Sequence, residues 1–404
     1  MTLGQLAPPA SQLARTATPE PLTVNTPTHV PSPMARALDL ARQALWLTSP
    51  NPRVGCVITD ASGHVLGEGH TQRAGGPHAE VMALRDAAAR GHDVRGATAW
   101  VTLEPCAHHG RTGPCCEALA TAGVGRVVAA LTDPNPQVAG QGLARLQAAG
   151  VQVHCLAPDE PLAVQARELN IGFFSRMERG RPWVRMKIAA SLDGQTALSN
   201  GQSQWITGDA ARQDGHAWRA RACAVLTGIG TVLEDDPLLN VRGLEVPRQP
   251  HLVVVDSRLD MPLTARLLDT QGAGDQARQI LLCAATQART EHREALISQG
   301  VQVIDCPGPS GKVDLAALLR HLAAREINEL HVEAGYKLNG SFIREGLVDE
   351  WLVYLAPRLL GPGQGMAHLP ALEALSGSVD LRFHSVEPVG EDLRLLLRSR
   401  SALT

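Results

Sequence analysis

His78-Ala79-Glu80, then Leu103-Glu104-Pro105-Cys106, then Cys115-Cys116 follow one another within a single stretch of this 404-residue chain. Together they offer one imidazole, thiolates and one carboxylate that is free to move protons. Zinc prefers soft thiolate and imidazole ligands, and a catalytic site takes three from the protein and leaves the fourth position for water. His78, Cys106 and one of the Cys115-Cys116 pair supply those three. Glu80 is too close in sequence to His78 to be a fourth ligand, and hydrolysis at an amidine-like ring carbon needs a carboxylate proton carrier. In mid-helix, positions i and i+2 point apart. Here Pro77 marks an irregular helix start, where His78 and Glu80 can converge. A His-x-Glu triplet alone carries no information; the ordered set with Pro-Cys does.

Working outward, helical spacing of Met34, Leu38, Ala41 and Leu45 stops at Ser49-Pro50-Asn51-Pro52. Val54 to Thr59 and Val65 to Gly69 read as a hairpin around Asp60-Ala61-Ser62-Gly63. A helix opens at Gly75-Gly76-Pro77, and strands and helices alternate from Ala97 to Leu156, which predicts a sheet between helices. Residues 1–33 carry Pro8, Pro9, Pro19, Pro21, Pro27, Pro31 and Pro33 and read as a disordered Pro/Thr/Ala-rich extension. The expected domains are 34–157, a linker helix at 158–180 ending in Arg179-Gly180-Arg181-Pro182, and 181–404.

The second half alternates strands and helices again, with strands at Val184–Ala189, Cys223–Thr227, Leu252–Asp256, Ile280–Ala284, Val301–Cys306, Glu329–Glu333 and Glu350–Leu355. It has no Gly-x-Gly-x-x-Gly at a strand-to-helix turn, which argues against a Rossmann dinucleotide site. Val332-Glu333-Ala334-Gly335 does lead from a strand into a helix, whose first amides can hold a phosphate.

A formal net charge of −3 and 3% aromatic residues give no footprint for a polynucleotide, so a small-molecule substrate and no nucleic acid are expected. No apolar run is long enough to span a bilayer, so no membrane partner is expected. The eight cysteines are scattered without a disulfide spacing, and the N-terminus lacks a secretory pattern, so a cytoplasmic setting is expected.

At this point the sequence resembles a known family. Pro50-Asn51-Pro52-Arg53-Val54-Gly55-Cys56, His78-Ala79-Glu80 and the run Thr102 to Cys116, with its Cys106-Ala107-His108-His109-Gly110-Arg111-Thr112-Gly113-Pro114-Cys115 insert, look like a bifunctional riboflavin-biosynthesis enzyme. That family joins a pyrimidine deaminase to a 5-amino-6-(5-phosphoribosylamino)uracil reductase. Lys187 to Gly194, Ser203-Gln204-Trp205-Ile206-Thr207 and Thr231 to Pro237 look like its reductase half. The resemblance implies an α/β protein of two domains: a cytidine-deaminase-like α/β/α sandwich, then a domain similar to dihydrofolate reductase. It implies Zn2+ on His78, Cys106 and Cys115, with Glu80 as proton shuttle. It implies NADPH near Ala189, Trp205, Thr231, Asp235, Ser257 and Gly335, and substrate at Asn51, Ser203, Arg219, Leu239, Arg242 and Glu333. Arg219 and Arg242 suit a ribose phosphate, Ser257 and Arg258 the cofactor's 2′-phosphate, and His108, His109 and Arg111 a phosphorylated pyrimidine. The reaction it implies is deamination of 2,5-diamino-6-(5-phosphoribosylamino)pyrimidin-4(3H)-one, then reduction of the ribosyl chain. The reductase's proton donor stays open between Asp193 and Glu333. A homodimer is expected.

Three rival readings are a deaminase whose second domain only binds substrate, a nucleic-acid-editing deaminase, and a structural zinc module. NADPH oxidation, binding to RNA or single-stranded DNA, and the effect of Glu80→Gln on deamination separate them.

Overall fold

The computed structural model describes residues 32–107, 113–136, 138–270 and 278–400. The expected disorder of residues 1–31 and the insert residues His108, His109 and Arg111 lie outside them. Ser32 and Pro33 are not part of an extension: the Ser32 hydroxyl accepts from the Ala35 amide and Pro33 opens the first helix.

The N-terminal elements are α1 (Pro33–Gln43), β1 (Gly55–Thr59), β2 (Val65–His70), α2 (Ala79–Ala89), β3 (Thr98–Val101), α3 (Cys115–Thr121), β4 (Arg126–Ala129), α4 (Gln141–Ala148) and β5 (Gln152–Cys155). They form a five-stranded sheet in the order β2-β1-β3-β4-β5. β1 pairs antiparallel with both neighbours, and β3, β4 and β5 run parallel. With few aromatic residues, close approach builds the core. Gly55 lies so tight under α1 that a Cβ there would sit 1.8 Å from the Ala37 carbonyl oxygen. Ala37, Ala41, Ala83 and Ala87 are fully buried or nearly so, which lets α1 and α2 seat on the sheet.

The expected linker helix is two: α5 (Pro161–Leu169) and α6 (Ile171–Arg179). The break is Asn170, whose carboxamide accepts from the Arg53 amide at 2.7 Å and donates to the Arg53 carbonyl at 2.9 Å. A side chain committed to another segment's backbone competes with helix continuation. Farther back, α3 begins at Cys115 itself.

The C-terminal elements are β6 (Trp183–Ser191), β7 (Gln195–Leu198), α7 (Asp209–Arg221), β8 (Ala224–Gly228), α8 (Ile229–Asp235), β9 (His251–Val255), β10 (Ile280–Ala284), α9 (Thr290–Ser298), β11 (Val301–Asp305), α10 (Leu315–Ala324), β12 (Glu329–Val332), α11 (Tyr336–Arg344), β13 (Glu350–Ala356), β14 (Gly363–Gly365), β15 (Leu381–Val389) and β16 (Asp392–Ser399). Nine of these strands make one sheet, β11-β10-β9-β8-β12-β6-β13-β16-β15. β11 through β13 run parallel, and β16 and β15 add an antiparallel hairpin that the sequence reading missed.

The two sheets meet at the amino-terminal ends of β12 and β8. Arg53, from the loop before β1, reaches Glu329 at 2.5 Å. Glu329 also takes Arg185 at 3.1 Å and Arg221 at 2.7 Å, and Arg185 continues to Glu350 at 2.5 Å. Burial acts to raise the Glu329 carboxyl, but Arg221, Arg53 and Arg185 outweigh it and hold it far below the usual range. A carboxyl depressed on folding stabilises above its unfolded pKa and loses that contribution as pH falls. The interface is therefore expected to weaken from about pH 4.5 downward. In denaturant melts, the wild-type midpoint should drop more between pH 5 and pH 3 than that of Glu329→Gln; parallel curves would contradict this.

Candidate active sites

α2 begins two residues after Pro77. His78 is its N-cap, with extended backbone (φ −78°, ψ 170°), and Glu80 stands in the first turn. This offset brings the His78 ring and the Glu80 carboxylate to one place, because His78 is not yet helical. Opposite them, Cys106 and Cys115 come from the loop after β3 and the first residue of α3. His78 Nδ1 is 3.6 Å from Cys106 Sγ and 3.4 Å from Cys115 Sγ, and the Cys115 amide points at Cys106 Sγ at 3.4 Å. The three ligand atoms all lie within 4.8 Å of one another. For Zn–S of about 2.3 Å and Zn–N of about 2.0–2.1 Å, a tetrahedron has an N···S edge of about 3.6 Å. The residues present fit a zinc ion. Cys116 is turned into the hydrophobic core instead, so the choice between the adjacent cysteines falls on Cys115.

The electrostatics are those of a cation site. Cys115 and His78 pull the Cys106 thiol down to about 4, and its proximity to that thiolate, with burial, pushes Cys115 up. Burial, then the Cys106 thiolate, push Glu80 up to about 7. A carboxyl beside the position of a metal-bound water is placed to take and give a proton.

The Cys106 loop is fixed by a residue the sequence reading passed over. The buried Glu104 carboxylate accepts from the amides of Asp133 (3.0 Å), Gly140 (2.9 Å), Gly142 (2.8 Å) and Leu143 (3.2 Å) at the start of α4. Gly142 is required for this approach, since a Cβ there would sit 1.9 Å from the Pro105 carbonyl oxygen. Above the cluster is a cavity of about 410 Å³, walled by His78, Glu80, Cys106, Asn51, Asp133 and Arg176 among others. Asn51 therefore stands where it can meet a ring. Asp133, which burial raises to about 6, and Arg176 were not anticipated. The Asp133-Pro134-Asn135-Pro136 turn after a strand was the one available signal for the former.

A second cluster forms at the carboxyl ends of the parallel strands of the large sheet, the usual ligand-binding edge of such sheets. Glu333 follows β12 and receives the Arg219 fork from α7: Nε to Oε1 at 2.7 Å and Nη2 to Oε2 at 2.9 Å. Arg219 Nη1 donates to the Asn240 carbonyl at 2.5 Å. Arg219, expected at a ribose phosphate, turns its fork to Glu333 and keeps two further N–H donors beyond these three bonds. Arg242, with one Nη on Asn240 Oδ1 at 2.8 Å, is more exposed. His216 accepts from the Arg242 amide at 3.3 Å, and burial with the nearby Arg219 and Arg242 charges lowers it to about 4. Leu239 is buried with φ 47° in the same turn.

Lys187 lies on β6 near the same cluster. Burial lowers its ammonium pKa against the pull of Glu333. Asp193, one of the two expected donors, has its carboxylate accepting from Ser191 Oγ and the Leu360 and Gly361 amides and is held down by them. Glu333 itself is held far below its usual value: burial opposes ionisation, and Arg219 and Lys187 overcome it.

The residues implied for NADPH are partly gathered. Gly335 caps α11, and a Cβ there would meet only Thr231 Oγ1, at 3.9 Å. Asp235 ends α8, and Ser257 follows β9 with its hydroxyl accepting from the Val313 amide at 3.2 Å. Ala189 lies on β6 opposite Tyr354. Trp205 is no core residue: it is 62% exposed and its ring lies 4.7 Å from the Arg212 guanidinium. Among the described residues, no hydrogen bond ties Ser203 or Trp205 to the Arg219–Glu333 cluster.

The comparisons with known proteins agree with this two-site architecture. The model for the cytidine and deoxycytidylate deaminase zinc-binding region matches residues 30–131, and the RibD C-terminal domain model matches residues 182–395. The chain is 46% identical over 368 residues to the riboflavin biosynthesis protein RibD of Escherichia coli, covering 90% of this chain and 98% of that one. A solved structure of Acinetobacter baumannii RibD superposes with a TM-score of 0.80 at 41% identity, over 91% of this chain and 98% of that one. A Thermotoga maritima diaminohydroxyphosphoribosylaminopyrimidine deaminase/5-amino-6-(5-phosphoribosylamino)uracil reductase gives 0.78 at 30% identity, over 91% and 97%. These matches bear out the expected fold class, the two activities and the need for Zn2+ and NADPH. The chain belongs to the RibD family, the bifunctional deaminase and reductase of riboflavin biosynthesis.

Proposed function

We propose that His78, Cys106 and Cys115 hold the zinc of the deaminase, and that Glu80 moves its protons. The supporting observation is the triangle of ligand atoms with Glu80 beside it. When bound, zinc supplies a water acidic enough to ionise near neutral pH. Glu80 accepts that water's proton and passes protons to the ring nitrogen and the departing amine, so that C–N is exchanged for C–O and ammonia leaves. Asn51 reads the ring edge from the cavity wall, and Glu104 keeps the Cys106 loop in register. The substrate is 2,5-diamino-6-(5-phosphoribosylamino)pyrimidin-4(3H)-one.

The product's ribosyl chain is then reduced at the second cluster, where NADPH supplies the hydride. Arg219 fixes the Glu333 carboxylate, and Arg242 faces the phosphate. Lys187 delivers the proton that accompanies opening of the ribose. Ala189, Trp205, Thr231, Asp235, Ser257 and Gly335 hold the cofactor, and Ser203 and Leu239 line the substrate. The first domain runs from the Ser32 cap to residue 157, and the second covers 181–404. The chain acts as a homodimer in the cytoplasm. The edge strand β15 leaves Phe383 and Val386 exposed, with Leu393 exposed on its partner β16, an apolar edge suited to a second copy. All eight cysteines are free, as a reducing compartment keeps them, and among the described residues no helix is long and apolar enough to cross a membrane. Sedimentation at one-chain mass would overturn the dimer, and export to an oxidising compartment the location.

Zinc removal tests the assignment. Cys115→Ser, or exhaustive chelation, should abolish ammonia release and cut bound zinc from one per chain towards none. NADPH oxidation with supplied 5-amino-6-(5-phosphoribosylamino)uracil should continue. Full zinc occupancy in Cys115→Ser would remove Cys115 from the site.

A further inference from the structure

The cavity over His78 and Glu80 is not built by the N-terminal sheet alone. Arg176 of α6 and Glu326, just before β12, form part of its wall. Arg176 Nε donates to Asn328 Oδ1 at 2.6 Å, and Asn328 Nδ2 donates to the Pro50 carbonyl at 2.7 Å. One carboxamide of the second domain therefore pins both the arginine and the peptide leading into Asn51. Asn328 is itself immobilised: it is 6% exposed, its amide points at Cys223 Sγ at 3.3 Å, and its carbonyl accepts from Trp183 N at 2.8 Å.

The guanidinium is left with capacity to bind. Among the described residues, neither Nη atom of Arg176 has a hydrogen-bond partner; its remaining contact is the Phe173 ring at 5.9 Å. Burial lowers its pKa, with Glu326 and Cys223 acting the other way, and a guanidinium keeps its charge in proteins. A planar fork with two open donor sites suits a phosphate oxygen pair. Glu326 beside it would repel a phosphate unless Arg176 stood between them, and offers an acceptor for ribose hydroxyls.

We infer that Arg176, held in place by Asn328 of the reductase domain, binds the phosphate of the substrate's ribosyl arm in the deaminase cavity, so that the second domain completes the first site. The inference rests on the deaminase reading given above. Arg176 is a specificity-determining residue, and Asn328 is a positioning residue.

The test uses the full-length, zinc-loaded enzyme. Ammonia release is measured with the phosphorylated pyrimidine and with its phosphatase-treated riboside, for wild type, Arg176→Gln, Arg176→Lys and Asn328→Ser. NADPH-dependent reduction by the same preparations controls for folding. Arg176→Gln should raise KM for the phosphorylated substrate about 10- to 100-fold, with kcat within about threefold and the riboside unaffected. Arg176→Lys should recover part of the loss, and Asn328→Ser should reproduce the KM-limited defect. Equal effects on both substrates, or none on either, would overturn the inference. A wild type that releases no ammonia from either would instead overturn the deaminase reading, and this inference with it.

Discussion

Glu80→Gln is expected to lower the deaminase kcat by about 10²- to 10⁴-fold, the usual range for losing a general acid–base group. The amide keeps the shape of the buried side chain but cannot carry a proton between water and leaving amine. The zinc ligands are untouched, so bound metal should stay at one per chain, and KM should change little. Reduction of supplied 5-amino-6-(5-phosphoribosylamino)uracil should proceed at the wild-type rate, since the reductase cluster lies at the far end of β12. Glu329 at the domain contact and Glu333 at that cluster are four residues apart on one extended segment, about 13 Å. Ammonia release within tenfold of wild type would remove Glu80 from the chemistry.

Arg219→Gln is expected to produce the opposite pattern. Its fork meets both oxygens of Glu333, and removal leaves a buried carboxylate with Lys187 as its remaining close cation. Truncating one member of a buried hydrogen-bonded charge pair costs about 2–5 kcal/mol, or roughly 30- to 5000-fold in kcat/KM if the pair's geometry is needed in the transition state. The Glu333 carboxyl should also titrate nearer its ordinary range. The pH profile of residual reduction should then show a new rise as pH increases through that range. Ammonia release should be unaffected. A reductase kcat/KM within about threefold of wild type would show that the Arg219–Glu333 pair serves only the fold.

The first site was legible in the sequence because its parts are close together. His78, Glu80 and Pro77 share one helix start, and Cys106 and Cys115 bracket one insert. Hydrophobic periodicity placed the strands on either side. The adjacent cysteines were not separable by spacing, since the choice depends on which way the first turn of α3 faces. Glu104 was also silent: its four amide partners lie around residue 140, and no local pattern announces a buried carboxylate capping a distant helix.

The reductase half was less legible because its contacts are distant in sequence. Arg219 and Glu333 are 114 positions apart, and Arg53 and Glu329 are 276 apart. An arginine that meets a phosphate and one that meets a buried glutamate read the same in a sequence. The single expected linker helix failed for a related reason. The periodicity of 161–179 is continuous enough to read through, while the break at Asn170 is made by hydrogen bonds to Arg53 on another element. The β15–β16 hairpin was missed because β15 is an edge strand with exposed apolar residues, so its alternation does not sort cleanly into an inner and an outer face.

The order of events proposed for the chain is that two separable sites act in sequence on one pyrimidine. It is tested most directly by mixing Glu80→Gln and Arg219→Gln enzymes with the diaminopyrimidine substrate and NADPH. Each variant alone should form reduced ribityl product at least about 30-fold more slowly than wild type. The mixture should form it after a lag, as deaminated product from one enzyme reaches the reductase site of the other. Product from either variant alone at the wild-type rate, or none from the mixture while ammonia accumulates and each partner reaction is intact, would contradict the account.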